Sequence, residues 1–338
     1  MLFSYLTYLF QLLLINGIFT LLIFTLFNKN SKDKVLLLLT SLGISPIITS
    51  LITFYLLLLL PHKTSIFYIL FIVSFYLLLF LIKRKEIPET LKIIKNIILS
   101  CNKYFLAILL MLIIVWQFTI IKIPILGHDT FEYATQGKIF FTNKIITYKE
   151  QPFDSITNFF YKGLHGYGYP LFNTIERFFN DIFSLHQRDY FFKSISGYYW
   201  ILIVLLQYYL LSKKNKILAI LSTITLISSF GFTIMFAFYH LDTLRIFLLM
   251  LSTIYLLKSI DSSNNFCLAL FGITAGLSAF SHSINCLLNI IQIFTFFLFQ
   301  KHFKQKLYKT IFIIVLFILF GGIHYILDTF LGAGWIVK

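Results

Sequence analysis

The chain has 338 residues, of which 59% are hydrophobic, 19% aromatic and 12% charged, with a net charge of +15. A soluble domain carries about 25% charged residues, so this composition excludes a soluble protein. Disorder is excluded as well, because disordered chains have low hydrophobicity. The apolar runs are long and unbroken, whereas the strands of a β-barrel are short and alternating. The sequence therefore predicts an all-α, polytopic transmembrane helical protein.

The basic charge has a simple explanation in a membrane protein. In a soluble chain it would suggest a nucleic-acid partner, but here Lys and Arg are expected in cytoplasmic loops, where they hold the orientation. No nucleic-acid partner is therefore predicted. Cys101, Cys267 and Cys286 have no metal-site spacing and no even number, so neither a disulfide framework nor a zinc site is indicated.

About ten segments are apolar over roughly the 20 residues that a helix needs to cross a bilayer. They are 2–27, 35–60, 66–82, 104–123, 190–211, 217–238, 243–257, 266–280, 284–299 and 310–327. The eighth and ninth are short, as in tilted or partly re-entrant segments. The first is not expected to be a cleaved signal peptide, since no basic residue precedes Lys29 and no small-residue cleavage site follows.

Alternate loops differ strongly in charge, and this sets the predicted topology. One set holds 17 Lys and Arg residues, whereas the opposite short connections hold only Lys63 and Arg245. The positive-inside rule places the basic set in the cytoplasm and both termini outside. We predict a multi-pass protein of a bacterial or archaeal cell membrane, embedded in the lipid bilayer.

One outer connection, residues 124–189, is 66 residues long. A loop of that length usually has a function or a structure of its own. Apolar residues from Leu171 to Phe183 recur at helical spacing, with polar residues on the other face. This pattern predicts an amphipathic helix that opens at Pro170 and lies in the outer interface.

Polar residues gather at the predicted outer ends of the spans, where they are candidates for a site. In chain order they are His128, Asp129, Glu132, Tyr133, His165, His240, Asp242, Arg245, His282, Asn285, His324 and Asp328. Each group also has a structural alternative. Asp129 and Glu132 fit a helix capping box, and Asp242 and Arg245 fit a pair three apart on a helix. The histidines fit a helix break at 282, a surface turn at 165 and a terminal pair at 324.

Four stretches resemble GT-C-type membrane glycosyltransferases, in the branches similar to protein O-mannosyltransferases and lipid A aminoarabinose transferases. Gly127-His-Asp-Thr-Phe-Glu-Tyr133 resembles the start of that family's first outer loop, and Tyr167-Gly-Tyr-Pro-Leu-Phe172 the start of the loop's second helix. His240-Leu-Asp-Thr-Leu-Arg-Ile-Phe247 resembles a recurrent Asp-x-x-Arg segment. Gly272 to His282 resembles a Gly-x-x-x-Gly-Leu-Ala helix that ends in a polar residue.

This resemblance implies a seven-span core with a long outer loop after its first span. The core would cover 104–328, with the outer loop at 124–189. A three-span extension with a basic cytoplasmic loop, 1–103, would precede it, and a short outer tail, 329–338, would follow.

The implied activity is transfer of a sugar from a polyprenyl-phosphate donor to a glycan, lipid or protein acceptor on the outer face. Asp129 is the expected general base, because glycosyl transfer needs a carboxylate to take the acceptor proton. Thr130 stands where many members carry a second acid, and Glu132, one helical turn on, is expected to replace it. One base with direct displacement inverts the anomeric centre.

The other candidate residues would bind the donor and acceptor. Arg245 is expected to stabilise the leaving phosphate, followed by His240 and His282. The substrate-binding set is completed by His128, Tyr133, His165 and Asp242. No cofactor is certain, and a divalent metal held by Asp129, Glu132 and His165 is an alternative.

Two other function classes stay open. One is a transporter or flippase of a lipid-linked or small substrate, although transporters carry ionisable groups near the midplane. The other is a non-catalytic subunit with a membrane protein partner, which the short end after the core favours. A transferase requires Asp129, Arg245 and His282 to converge on one outer-facing cavity open to lipid.

Overall fold

The structure is a computed structural model that describes residues 2–125, 128–146, 166–186, 188–231, 233, 239–261, 264–300 and 303–331. It is 87% helical, and no strand occurs in these residues. Within this described part of the chain, seven helical segments are long and apolar enough to cross a membrane. The prediction of an all-α, multi-pass integral membrane protein is confirmed at this level.

The helices follow one another through the described part of the chain. They are α1 Leu2–Gln11, α2 Phe19–Phe27, α3 Lys34–Leu59, α4 Ser65–Lys83, α5 Ile87–Leu99, α6 Lys103–Lys122, α7 His128–Asn143, α8 Gly168–Ile182, α9 Tyr190–Ser212, α10 Lys216–Ser228, α11 Asp242–Asp261, α12 Asn265–Ser281, α13 Ser283–Phe299, α14 Phe303–Phe317 and α15 Ile323–Leu331. A π-helical segment, Leu12–Ile18, joins α1 to α2, and a second one, Ile318–Gly322, joins α14 to α15.

Seven of the predicted spans coincide with the membrane-length segments. These are Phe3–Asn30, Lys34–Leu59, Ser65–Lys83, Lys103–Lys122, Tyr190–Ser212, Asp242–Ile260 and Gln305–Leu327. The other three correspond to shorter apolar helices, α10, α12 and α13. Helix α10 ends at Ser228, ahead of the predicted end at 238, where the backbone of Ser229 is extended; serine is a weaker helix former than the apolar residues before it. The count of ten spans stays a prediction.

The helix ends fall into two groups, and the first group is basic. Asp33, which caps α3, lies 3.0 Å from Lys213 at the end of α9 and 3.2 Å from Lys258 on α11. Burial alone would raise the pKa of Asp33, but hydrogen bonds from Tyr209, the Leu36 N–H and Lys213 lower it to about 2. We call this end of the bundle the basic end.

The other group of helix ends meets at what we call the opposite end. Tyr239, just before α11, donates to the carbonyls of Thr119 and Ile123 at the end of α6, at 2.8 and 2.9 Å. The N–H of His62, between α3 and α4, donates to the carbonyl of Lys144 after α7. This separation of ends agrees with the predicted alternation of helix direction.

Helix α3 forms the centre of the bundle and contains Pro46. Proline has no N–H, so it leaves the carbonyl of Leu42 without its helical partner. Tyr198 donates to this carbonyl at 2.9 Å, and Tyr199 donates to the carbonyl of Gly43 at 2.6 Å. Backbone groups inside a membrane need internal partners, and two tyrosines of α9 supply them here.

Glycines on α12 allow α14 to approach closely. A Cβ at Gly276 would lie 2.7 Å from the carbonyl oxygen of Phe317, and a Cβ at Gly272 would lie 2.8 Å from the Cβ of Leu316. Gly321, in the π-helical segment after α14, has φ +148° and packs against Gly276. Small residues allow helix backbones to pack closely in membranes. The Gly272-x-x-x-Gly276 spacing therefore has a packing role.

Helix α8 forms where the sequence predicted a helix, but its surroundings differ from the prediction. Residues 168–180 are all buried, and α3, α4, α7 and α9 enclose the helix. Its polar face binds protein: Glu176 accepts the N–H of Phe192 at 2.9 Å, and Arg177 lies 3.1 Å from Asp189. The predicted position in the outer interface is therefore wrong. The Glu176 carboxyl group instead accepts a backbone N–H that is free at the start of α9.

Candidate active site

Three of the predicted motifs meet at the backbone of Tyr239. Its carbonyl accepts the hydroxyl of Tyr169 at 2.6 Å and that of Thr130 at 3.4 Å. The rings of Tyr133 and Tyr169 lie edge to face, with centroids 5.7 Å apart. The starts of α7, α8 and α11 are therefore neighbours, although Tyr239 is 109 residues from Thr130 and 70 from Tyr169.

The fourth motif joins them through the glycine turn before α8. Gly166 fits against the junction of α12 and α13, where a Cβ would lie 2.6 Å from the carbonyl carbon of Ser281 and 2.7 Å from the nitrogen of His282. The backbone of Gly166 packs directly against the backbone of residues 280–282. Any side chain larger than that of glycine would therefore push the two segments apart. The carbonyl of Gly168 accepts the hydroxyl of Ser50 at 2.7 Å, which fixes the turn to α3.

A charged cluster stands at the start of α11. Oδ1 of Asp242 lies 2.6 Å from Nε of Arg245, and Oδ2 lies 3.0 Å from Nδ1 of His240. The predicted pairing of Asp242 with Arg245 is confirmed. The acid is the most enclosed member, with 14% of its side chain exposed against 28% for the arginine. Its position in the first turn of α11 also favours a negative charge.

His282 lies at the break between α12 and α13. Its Nδ1 accepts the N–H of Ile284 at 3.1 Å, so it caps α13, which confirms the predicted helix-break role. Because Nδ1 is an acceptor, the neutral ring carries its proton on Nε2. Asn285 donates to the carbonyl of Arg245 and to the hydroxyl of Ser278, both at 2.9 Å. This amide joins the break to the charged cluster.

The first motif opens α7, and the structure describes it in part. Helix α7 begins at His128, one residue before the Asp129 cap that a capping box requires. The side chains of His128 and Asp129, and all of His165, lie outside the described residues. Glu132 is half-buried and Tyr133 is buried. Asp129 directly precedes Thr130, whose hydroxyl contacts the carbonyl of Tyr239 just before α11.

His324 is buried among aromatic rings at the same end. Its Nδ1 lies 2.8 Å from the carbonyl oxygen of Gly321, and its ring centroid lies 5.2 Å from that of Tyr167 and 5.7 Å from that of Phe280. The histidine therefore contacts both the glycine turn and the end of α12. The predicted pair with Asp328 involves a side chain outside the described residues.

Two buried ionisable side chains near this end, Glu176 and Lys193, were not singled out from the sequence. Burial raises the pKa of Glu176 to about 8, with the nearby charge of Asp189 adding to the effect. Lys193 on α9 donates to the carbonyls of Ile120 and Ile123, at 2.5 and 3.1 Å, and so caps α6. A lysine inside an apolar span is energetically costly in a membrane. The position of Lys193 within a predicted span could therefore have singled it out from the sequence.

Among the described residues, no three His, Cys, Asp or Glu side chains are close enough to hold a metal ion. The metal alternative on Asp129, Glu132 and His165 stays a prediction, since two of these side chains lie outside the described part. Comparison with family models, curated proteins and solved structures found no match to this chain. Its function must therefore be inferred from its own geometry.

Proposed function

We propose that this chain is a membrane glycosyltransferase that moves a sugar from a polyprenyl-phosphate donor to an acceptor at the opposite end of the bundle, the predicted outer face. One observation carries the proposal. Four segments that are far apart in the chain lie together there: the starts of α7, α8 and α11, and the junction of α12 and α13. They bring a paired carboxylate, a guanidinium and two imidazoles to one end of the membrane-length helices.

The charged cluster suits a leaving phosphate. Phosphate departure is favoured by cationic N–H donors that are already in position. Asp242 holds Arg245 through Nε, and the terminal amino groups of the guanidinium carry its remaining N–H donors. His240 approaches the other oxygen of the same carboxylate. We assign Asp242 the role of positioning Arg245 and His240.

The general base is then a different carboxylate. Asp242 is a poor base because one of its oxygens pairs with the guanidinium of Arg245 and the other faces Nδ1 of His240. We assign the base to Asp129, with Glu132 one turn further along α7 as the supporting acid. The base takes the proton of the acceptor hydroxyl or amine, the acceptor atom bonds to the anomeric carbon, and the bond to the lipid phosphate breaks. Direct displacement of this kind inverts the anomeric centre.

The test is transfer of radiolabelled sugar from a panel of polyprenyl-phosphate sugars by membranes containing wild-type or variant protein. Asp129→Asn is expected to lower transfer by about a hundredfold or more, the usual contribution of a general base. Asp181→Asn is the matched control, since this carboxylate lies on α8 away from the cluster. Equal transfer by all three proteins would exclude Asp129 as the base, and no transfer by wild type from any donor would contradict the enzyme proposal.

A second candidate function, transport of a lipid-linked substrate, is favoured by a separate observation. Gln11 and Asn16 are buried within the first span, Gln11 directly before the π-helical segment Leu12–Ile18 and Asn16 inside it. Among the described residues, their carboxamide atoms have no hydrogen-bond partner. Polar groups beside interrupted helices are typical of transporter sites. In proteoliposomes, Asn16→Leu would abolish flipping of a fluorescent polyprenyl-phosphate sugar if transport is the function, and would leave sugar transfer unchanged if it is not.

A further inference from the structure

An apolar groove lies at the basic end, far from the charged cluster. Its volume is about 560 Å³, which is within the usual range of ligand pockets. Apolar side chains from four helices form its walls, among them Leu38 of α3, Ile97 of α5, Leu109 of α6 and Leu205 of α9. Such a lining fits a hydrocarbon chain, because it offers burial without polar partners.

Helix α5 closes one side of this groove and is amphipathic. Ile94, Ile97 and Ile98 line the groove, whereas Lys92 and Lys95 are exposed. A helix with lysines on one face and apolar residues on the other is typical of the membrane interface, where it lies at the level of the lipid headgroups. The groove therefore opens where headgroups and acyl chains meet.

The rim of the groove is polar and cationic. Ser100, Asn102, Ser212 and Lys216 contribute to it. Lys103 follows Asn102 and begins α6, as Lys216 begins α10, and both lysines are exposed. The starts of these two helices add positive potential to that of the lysines. An anionic group is thus favoured at the mouth of an apolar cavity.

We propose that this groove binds an anionic phospholipid of the cytoplasmic leaflet, with one acyl chain against Leu109 and Leu205 and the phosphate at Lys103 and Lys216. The positive-inside rule puts the basic end at that leaflet, and anionic headgroups attract lysines there. A second copy of the chain is a less suitable occupant of the groove, because its own basic end would be repelled by this one. This site is separate from the proposed transferase site and does not depend on it.

The experiment uses the full chain in phosphatidylcholine vesicles that contain a trace of phosphatidylglycerol with a diazirine in one acyl chain. After irradiation, mass spectrometry locates the label. We expect label on α6 and α9, and at least a fivefold loss with Leu109→Trp, whose indole fills the groove. Ile114→Trp is the matched control, on the same helix at a side chain that is 61% exposed and outside the groove.

A second pair of variants tests the headgroup. Lys103→Gln with Lys216→Gln is expected to weaken phosphatidylglycerol binding about thirtyfold, since each lysine near an anionic surface contributes about a factor of five. Lys122→Gln, at the other end of α6, should leave binding unchanged. The thermal unfolding midpoint in detergent checks that Leu109→Trp folds, and Leu205→Trp fills the groove from the facing wall if it does not.

Three results would overturn the proposal. One is equal labelling of wild type, Leu109→Trp and Leu205→Trp. Another is labelling by a diazirine phosphatidylcholine as strong as by the phosphatidylglycerol, since charge would then play no part. The third is a dimer in light scattering that Leu109→Trp dissociates, because a second chain would then occupy the groove.

Discussion

Gly166→Ala tests whether contact between the glycine turn and the α12–α13 junction holds the candidate site together. The new Cβ would lie 2.3 Å from the carbonyl oxygen of Phe280 and 2.6 Å from the carbonyl carbon of Ser281, whereas ordinary contact begins at 3.4 Å. At the closest point the two backbones must therefore separate by roughly 1.1 Å, since backbone atoms cannot rotate away as side chains do. Overpacking of this kind costs about 1–3 kcal/mol. A shift of about 1 Å near a reacting centre costs about a hundredfold in rate.

Two measurements check this reasoning. The thermal unfolding midpoint of the purified variant in detergent should fall, while the protein still folds and inserts. Transfer of radiolabelled sugar, if that is the reaction, should fall by about two orders of magnitude at equal protein level. Gly231→Ala is the control, because a Cβ there meets nothing within 4 Å. If the two variants share the same midpoint and the same activity, the contact at Gly166 does not hold the site.

Three further changes test other contacts. Tyr198→Phe removes the donor to the Leu42 carbonyl and should cost about 1–3 kcal/mol in unfolding free energy, the usual penalty for an unpaired buried polar group. Gly276→Ala places a Cβ 2.7 Å from the carbonyl oxygen of Phe317 and should destabilise by about 1–3 kcal/mol, measured as the unfolding midpoint. Glu176→Gln should remove part of the pH dependence of the unfolding free energy. A carboxyl with a raised folded-state pKa stabilises the protein below its ordinary value of 4.5, and that contribution is lost as the pH rises to about 8.

Each of these variants has a control. Tyr104→Phe changes a tyrosine that is exposed, and Gly17→Ala adds a methyl group whose nearest neighbour is 3.5 Å away. Equal midpoints for Tyr198→Phe and Tyr104→Phe would show that the Leu42 carbonyl needs no partner. Equal unfolding midpoints for Gly276→Ala and Gly17→Ala would show that α12 and α14 have room for a methyl group at Gly276. For Glu176→Gln, a wild-type minus variant difference that is constant from pH 4 to pH 9 would contradict the burial argument.

The spans were predictable because their signal is local. A run of about 20 apolar residues between lysine-rich loops indicates a segment that lies in lipid. Seven of the predicted spans are membrane-length helices. Helix α10 was less predictable. Its apolar composition continues past Ser228, but the backbone leaves the helix there, and composition does not report that change.

The candidate site was predictable as a set of residues but not as a geometry. Charged residues at span ends stand out in an apolar sequence, and this pointed to Asp242 and Arg245. Nothing local indicates that the carbonyl of Tyr239 joins Tyr169 to Thr130, because those contacts depend on which helices are neighbours. The same limit explains Glu176, which a helical pattern assigns to a water-facing surface and which the structure buries against α9.

The sequence by itself determined that this protein is built from apolar helices long enough to cross a membrane, because lipid imposes an apolar length on each span separately. Only the tertiary structure decided how the helices meet. It brings glycines to the close backbone contacts and places tyrosine hydroxyls on the carbonyls one turn before Pro46. It also buries α8 among its neighbours. The physical reason is that helices in lipid are held by packing and hydrogen bonds between particular neighbours, and those pairings are not encoded within any one segment.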